Sequence, residues 1–119
     1  MSDQDDKEQW ASFAAEARHR CGVISIGLEA QTSDLETLRA EAEAIKTAAA
    51  VAGRRRLVEL AGLMESEFAE AVRLGEIRER RAGQLADAAE ALAEGASAAA
   101  EGKEEPPDVG RSLAQLFGT

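Results

Sequence analysis

The chain lacks most of what an enzyme or a disulfide-stapled fold requires. Its single cysteine, Cys21, has no internal partner for a disulfide. One histidine, His19, and no tyrosine leave no nucleophile and base at a spacing that supports catalysis. Three Phe and one Trp are too few large rings for a thick globular core, so thin helix-on-helix packing is expected. Both prolines, Pro106 and Pro107, lie late in the chain, and nothing before them forbids helix. No run approaches the ~18 apolar residues of a membrane span. The opening Met-Ser-Asp-Gln-Asp-Asp is the reverse of a basic and then apolar secretory leader. These absences lead to the expectation of a cytoplasmic, non-enzymatic protein with no catalytic residue, metal or cofactor.

What the chain does have is charge and alanine. At 119 residues, 45% hydrophobic and 31% charged, it has room for one folded domain. The net charge of −9 is concentrated at the ends, in Asp3, Asp5, Asp6 and Glu8 and again in Glu101, Glu104, Glu105 and Asp108. That surface disfavours nonspecific binding to nucleic acid and argues against an anionic membrane as partner.

Residues 10–52 carry the strongest pattern. Trp10, Ala14, Ala17, Cys21, Ile24, Leu28, Gln31, Leu35, Leu38, Ala42, Ile45, Ala49 and Ala52 recur in alternating steps of four and three, a heptad seam that calls for a partner helix. Cys21 lies on that seam and reads as a buried thiol. Two features compete with one continuous helix. Gly22 and Gly27 bracket Val23-Ile24-Ser25-Ile26, a candidate extended piece, and Ser33-Asp34-Leu35-Glu36 has the form of a capping box. Unbroken phase favours the continuous helix. Ser2 or Asp3 is a candidate cap for its start.

At Gly53 the phase slips by one residue and resumes at Leu57, Leu60, Met64, Ala71, Leu74, Leu85, Ala88 and Leu92. A slip beside glycine marks a helix stop and a tight turn. The expected fold is therefore all-α: a long antiparallel, coiled-coil-like helical hairpin over residues 10–95, with its turn near 53 and arms of about 60 Å each. Residues 1–9 form an acidic extension. On the second arm Leu63, Phe68 and Ile77 flank the seam and widen the apolar face beyond what one neighbour covers, which predicts self-association into a bundle or ring. Gly75 is a candidate break in that arm.

Residues 96–108 read as a flexible acidic linker. Beyond it Val109, Leu113, Leu116 and Phe117 return at i, i+4, i+7 and i+8, the form of a docking peptide for a groove on a larger protein, within residues 109–119. The alternative is that this helix folds back on its own bundle.

Glu16 and His19 have the Glu-x-x-His spacing of di-iron bundles, but they lie off the seam and point to solvent. Arg54, Arg55 and Arg56 at the turn are candidate backbone contacts to nucleic acid, although no carrier of base readout accompanies them. Gln31, alone as a polar residue on the seam, either fixes register or marks an exposed break. Asp34 with Arg39, and Glu41 with Lys46, flank the seam as candidate inter-helix charge pairs. On the second arm Arg78, Arg80 and Arg81 are expected to pair with Glu76, Glu79 and acids of the other arm.

In layout the chain resembles the small terminase subunits of phages and gene transfer agents, whose family forms rings that present DNA to a large packaging ATPase. The 57–92 stretch, with its Leu-Gly-Glu-Ile-Arg-Glu-Arg interruption, also resembles the helical secretion chaperones of flagellar and type III systems. The expected function is that of a self-associating helical adaptor that recruits a larger protein through its C-terminal peptide.

Overall fold

The computed structural model describes the backbone of residues 3–117 and the side chains of residues 6–117. Ser2 and the Asp3 side chain, named above as caps, lie outside the described residues, as do positions 118 and 119. The described residues form five helices: α1 (Asp3–Glu29), α2 (Leu35–Val51), α3 (Arg55–Leu74), α4 (Glu79–Ala100) and α5 (Pro107–Phe117).

The two expected 60 Å rods are each cut in half, and the longest dimension of the molecule is 47 Å. The first four helices run up, down, up and down around a shared core. α1 packs along α4 and α2 along α3, with the diagonals apart. Ion pairs mark the neighbours and their antiparallel register. Arg20 on α1 meets Glu41 on α2 at 3.3 Å, Lys46 on α2 meets Glu65 on α3 at 2.5 Å, and Glu67 on α3 meets Arg81 on α4 at 3.2 Å. Each is partly exposed and stabilises by at most ~1 kcal/mol, so these pairs select neighbours more than they hold the bundle. Arg78 and Arg80 are exposed in the described structure, and the acid that Arg81 meets lies on α3. Asp34 does not pair with Arg39. It caps α2 instead, accepting from the Thr37 N–H at 3.2 Å and from its hydroxyl at 2.6 Å.

The break in the first arm corrects the continuous helix. The seam itself is inward along its whole length, with Ala17, Ile24, Ala42, Ile45 and Ala49 all at 0% exposure. Only Gln31 is exposed on it, at φ 54. There the N–H of Gln31 donates to the Leu28 carbonyl and that of Thr32 to the Gly27 carbonyl, the paired bonds of a Schellman stop with a left-handed residue at its end. Gly53 repeats the geometry at φ 74, with its N–H on Ala50 and that of Arg54 on Ala49. Gln31 thus occupies a glycine position. Gln31→Gly is expected to raise stability by about 0.5–1 kcal/mol, as relief of the left-handed strain outweighs the added freedom of the unfolded chain; urea titration would check it. Val23-Ile24-Ser25-Ile26 is helical, not extended.

Gly75 at φ 85 ends α3, its N–H on the Ala71 carbonyl at 2.7 Å. The second break folds α4 back beside α3 and α1. α4 continues through residues 96–100, with Ala96, Ala98 and Ala99 buried. The expected flexible linker is accordingly shorter at its start. Alanine has the best helix propensity, and its small side chain lets α4 bury itself against three neighbours at once.

Candidate functional site

α5 begins with Pro107 as its first residue, where a missing N–H costs nothing. Its amphipathic face then sets the geometry. Val109 is at 0% exposure and Leu116 at 4%, both in the common core, and Leu113 is half-buried against it. Phe117, the fourth predicted anchor, points away at 81% exposure. The anchors therefore divide. Three hold the helix to its own bundle and one remains free at its end.

The receiving groove lies between α3 and α4, and α5 packs on those two helices alone. Its floor is shaped by an absence. A Cβ on Gly95 of α4 would stand 2.8 Å from Leu57 Cδ2 and 3.1 Å from Val109 Cγ2, so glycine is what allows α3, α4 and α5 to meet there. Ser112, also inward, is the one buried polar residue among the described positions. Above the groove Arg56 reaches Glu105 at 2.6 Å, and its Nη2 lies 3.0 Å from where a Cβ on Gly110 would be. α5 descends antiparallel to α4, from Val109 at Gly95 toward the level of Asp87 and Glu90. An open cleft, lined by no α5 residue, lies where α3 turns into α4. That cleft is floored by Ala71, Leu74 and Ile77 and edged by Glu67, Glu70, Arg78 and Arg80.

The three turn arginines do not present one cationic surface. The Arg54 guanidinium lies over the Trp10 ring, 4.4 Å from its centroid, and joins the start of α1 to the α2/α3 turn. Arg56 is engaged by Glu105. Arg55 stands in solvent at 92% side-chain exposure, with Glu59 at 3.7 Å.

The expected oligomer face is corrected in part. Phe68 is at 0% exposure and is among the largest fully buried side chains, while Leu63 and Ile77 are half-buried against the same core. The width of that face is taken up by α4 and its neighbours within one chain. Among the described residues the large apolar side chains left exposed are Ile26, Val51, Val72 and Leu74, together with Phe117.

Cys21 is buried at 3% exposure, and burial pushes its thiol up to about 12, against which a hydrogen bond with the Ala93 backbone acts weakly. It is a packing residue and a poor nucleophile. Glu16 pairs with Arg20 at 3.3 Å, and His19 is exposed. No group of three or more metal-ligating side chains forms among the described residues, and no described helix is long and apolar enough to cross a membrane.

Of the residues that shape the groove, Leu57 was read from the sequence only as part of the apolar seam, and Gly95 and Ser112 were not singled out. The one available signal was a glycine inside an alanine run, which marks a close approach as readily as a weakening helix. No protein-family model, curated protein or solved structure matches this chain.

Proposed function

We propose that this protein is a non-enzymatic helical adaptor, able to self-associate, that recruits a larger protein through α5. The observation that carries the reading is the division of the α5 anchors. Val109, Leu113 and Leu116 seat the helix, while Phe117, a large ring, is held in water at 81% exposure. An exposed aromatic at the end of a positioned helix supplies the rigid apolar contact on which interface hot spots are built. The hold on α5 is modest, since three side chains contribute at most ~1.5–3 kcal/mol each against the entropy of ordering a short helix. A partner that engages Phe117 can therefore draw on the rest of the α5 face as well.

The test is capture by full-length bait, wild type against Phe117→Asp. Because Phe117 lies outside the core, the variant is expected to keep its thermal midpoint and its oligomeric mass while losing at least tenfold of a stoichiometric partner. Equal capture by both baits would end the recruitment reading.

A further inference from the structure

Glycine is, after proline, the residue least suited to the interior of a helix, and two of the helical glycines here are explained by a close approach within the chain. A Cβ on Gly27 would stand 2.8 Å from Leu38 Cδ2, as one on Gly95 would from Leu57 Cδ2. Gly22 on α1 and Gly83 on α4 have no such neighbour, since a Cβ at either would meet nothing within 4 Å. Both line one shallow groove along the outside of the α1/α4 pair, floored by Ala86, Ala89 and Ala93. The fold thus leaves bare backbone at two helix positions that it does not itself need bare. A helix from outside can come closer there than a side chain would permit.

The charges along the groove identify the occupant. Arg18, Gly22, Ser25 and Glu29 follow one another at steps of four, three and four on one stripe of α1, so the stripe runs from a cation through two small residues to an anion. Arg18 and Glu29 are both exposed, and neither has an ion pair among the described residues. We propose that a second copy of this chain docks in the α1/α4 groove, its α1 antiparallel to this one about a two-fold axis midway between Gly22 and Ser25. Turned over by that axis the stripe is complementary to itself. Arg18 of each copy meets Glu29 of the other, and Gly22 faces Ser25. Ile26, 70% exposed in the single chain, then comes over the bare Cα of Gly22 in the second copy and is covered. Cys21 bonds to the Ala93 backbone and α4 runs antiparallel to α1, so Asp87 lies toward the Glu29 end and strengthens the hold on the incoming Arg18. Glu90 lines the outer wall in each copy, with both α1 helices between the two. The stripe is about 17 Å long, too short to bury the ~800 Å² a side of a standard stable interface, so the dimer forms only at high concentration. The interface rests on the self-association in the reading above and gives it a location. α5 lies on the other side of the Asp87 and Glu90 ridge, so pairing and recruitment use different faces.

Paired charge reversals test this in the full chain, by sedimentation equilibrium up to about 1 mM protein at ~0.15 M salt, where exposed charges beyond about 8 Å are screened. Arg18→Glu and Glu29→Arg each turn two attractions per dimer into two repulsions, and each alone is expected to weaken dimerisation about tenfold. Glu29→Arg does so although it lowers the net negative charge, which separates the pairing from general repulsion between acidic chains. An equimolar mixture of the two variants recreates both ion pairs and is expected to recover at least the wild-type dimer fraction. Gly22→Leu, whose added Cβ meets nothing in its own copy, is expected to keep the thermal midpoint at or above that of wild type and to lose the dimer. Wild type that stays monomeric to that concentration overturns the proposal together with the self-association on which it rests. A dimer that ignores either reversal or Gly22→Leu, or a mixture no better than its two components, overturns this interface alone. In every case the Phe117→Asp comparison still judges recruitment on its own.

Discussion

Phe68→Ala is expected to destabilise the protein by about 3–5 kcal/mol, the usual cost of removing a fully buried ring from a close-packed interior. Phe68 is at 0% exposure on α3, in a core whose other fully buried large side chains include Ile24, Leu38, Ile45, Leu60, Met64, Leu85 and Leu92, interspersed with many alanines. In so alanine-rich a bundle the neighbours have few long side chains with which to fill the hole, so the upper part of that range applies. Set against a typical domain stability of ~5–15 kcal/mol, the variant would sit near its unfolding midpoint at modest temperature. Urea unfolding followed by helical ellipticity reads the change directly. A loss below ~1 kcal/mol would mean that Phe68 faces outward, and would restore it to an interface between copies.

Gly95→Leu is expected to expel α5 while leaving α1 to α4 folded. Even a bare Cβ at this position comes to 2.8 Å from Leu57 and 3.1 Å from Val109, and leucine adds three further carbons into the same space. Leu57 can swing only the end of its side chain, and α3 is held along its length by α2. α5 is held by the fewest apolar side chains and is the element that yields. Amide protection across 109–117 is expected to fall by at least a hundredfold, with helix content lost only from that segment. Leucine also raises the helix propensity of α4 by close to 1 kcal/mol, so a global loss of structure would not be an effect of propensity. Retained protection in α5 would mean that the groove is looser than its distances indicate.

Much of the core was legible in advance, but its connectivity was not. From Ala14 to Ala49 each apolar seam residue is buried, because a three-and-four spacing reports which face of a helix turns inward whether or not the helix is continuous. The phase survived the loop at residues 30–34 because α1 and α2 turn their stripes to one shared interior. The stop at Gly53 showed in its glycine and its phase slip. The equivalent stop at Gln31 was one of two open readings, an exposed break against a register-fixing pair, and the break is what the structure has; the sequence left it open because a left-handed position filled by glutamine carries no side chain that by itself announces a turn. Asp34, one residue after the start of the motif first read as a capping box, was the better guide.

In the candidate site the amphipathic spacing of Val109, Leu113, Leu116 and Phe117 was visible, and so was the tether before it. Where that face would dock was open, because periodicity identifies a buried face without naming what buries it.

The amino-acid order by itself determined the all-helical class, the inward faces, the buried thiol and the isolated terminal amphipathic helix, all of which follow from local propensity and spacing. The tertiary structure alone decided that the arms fold into four helices, that Phe68 is internal, and that Gly95 admits Val109 into a groove of its own chain. These depend on which distant segments fill each other's gaps, a matter of shape and volume that no single stretch of residues encodes.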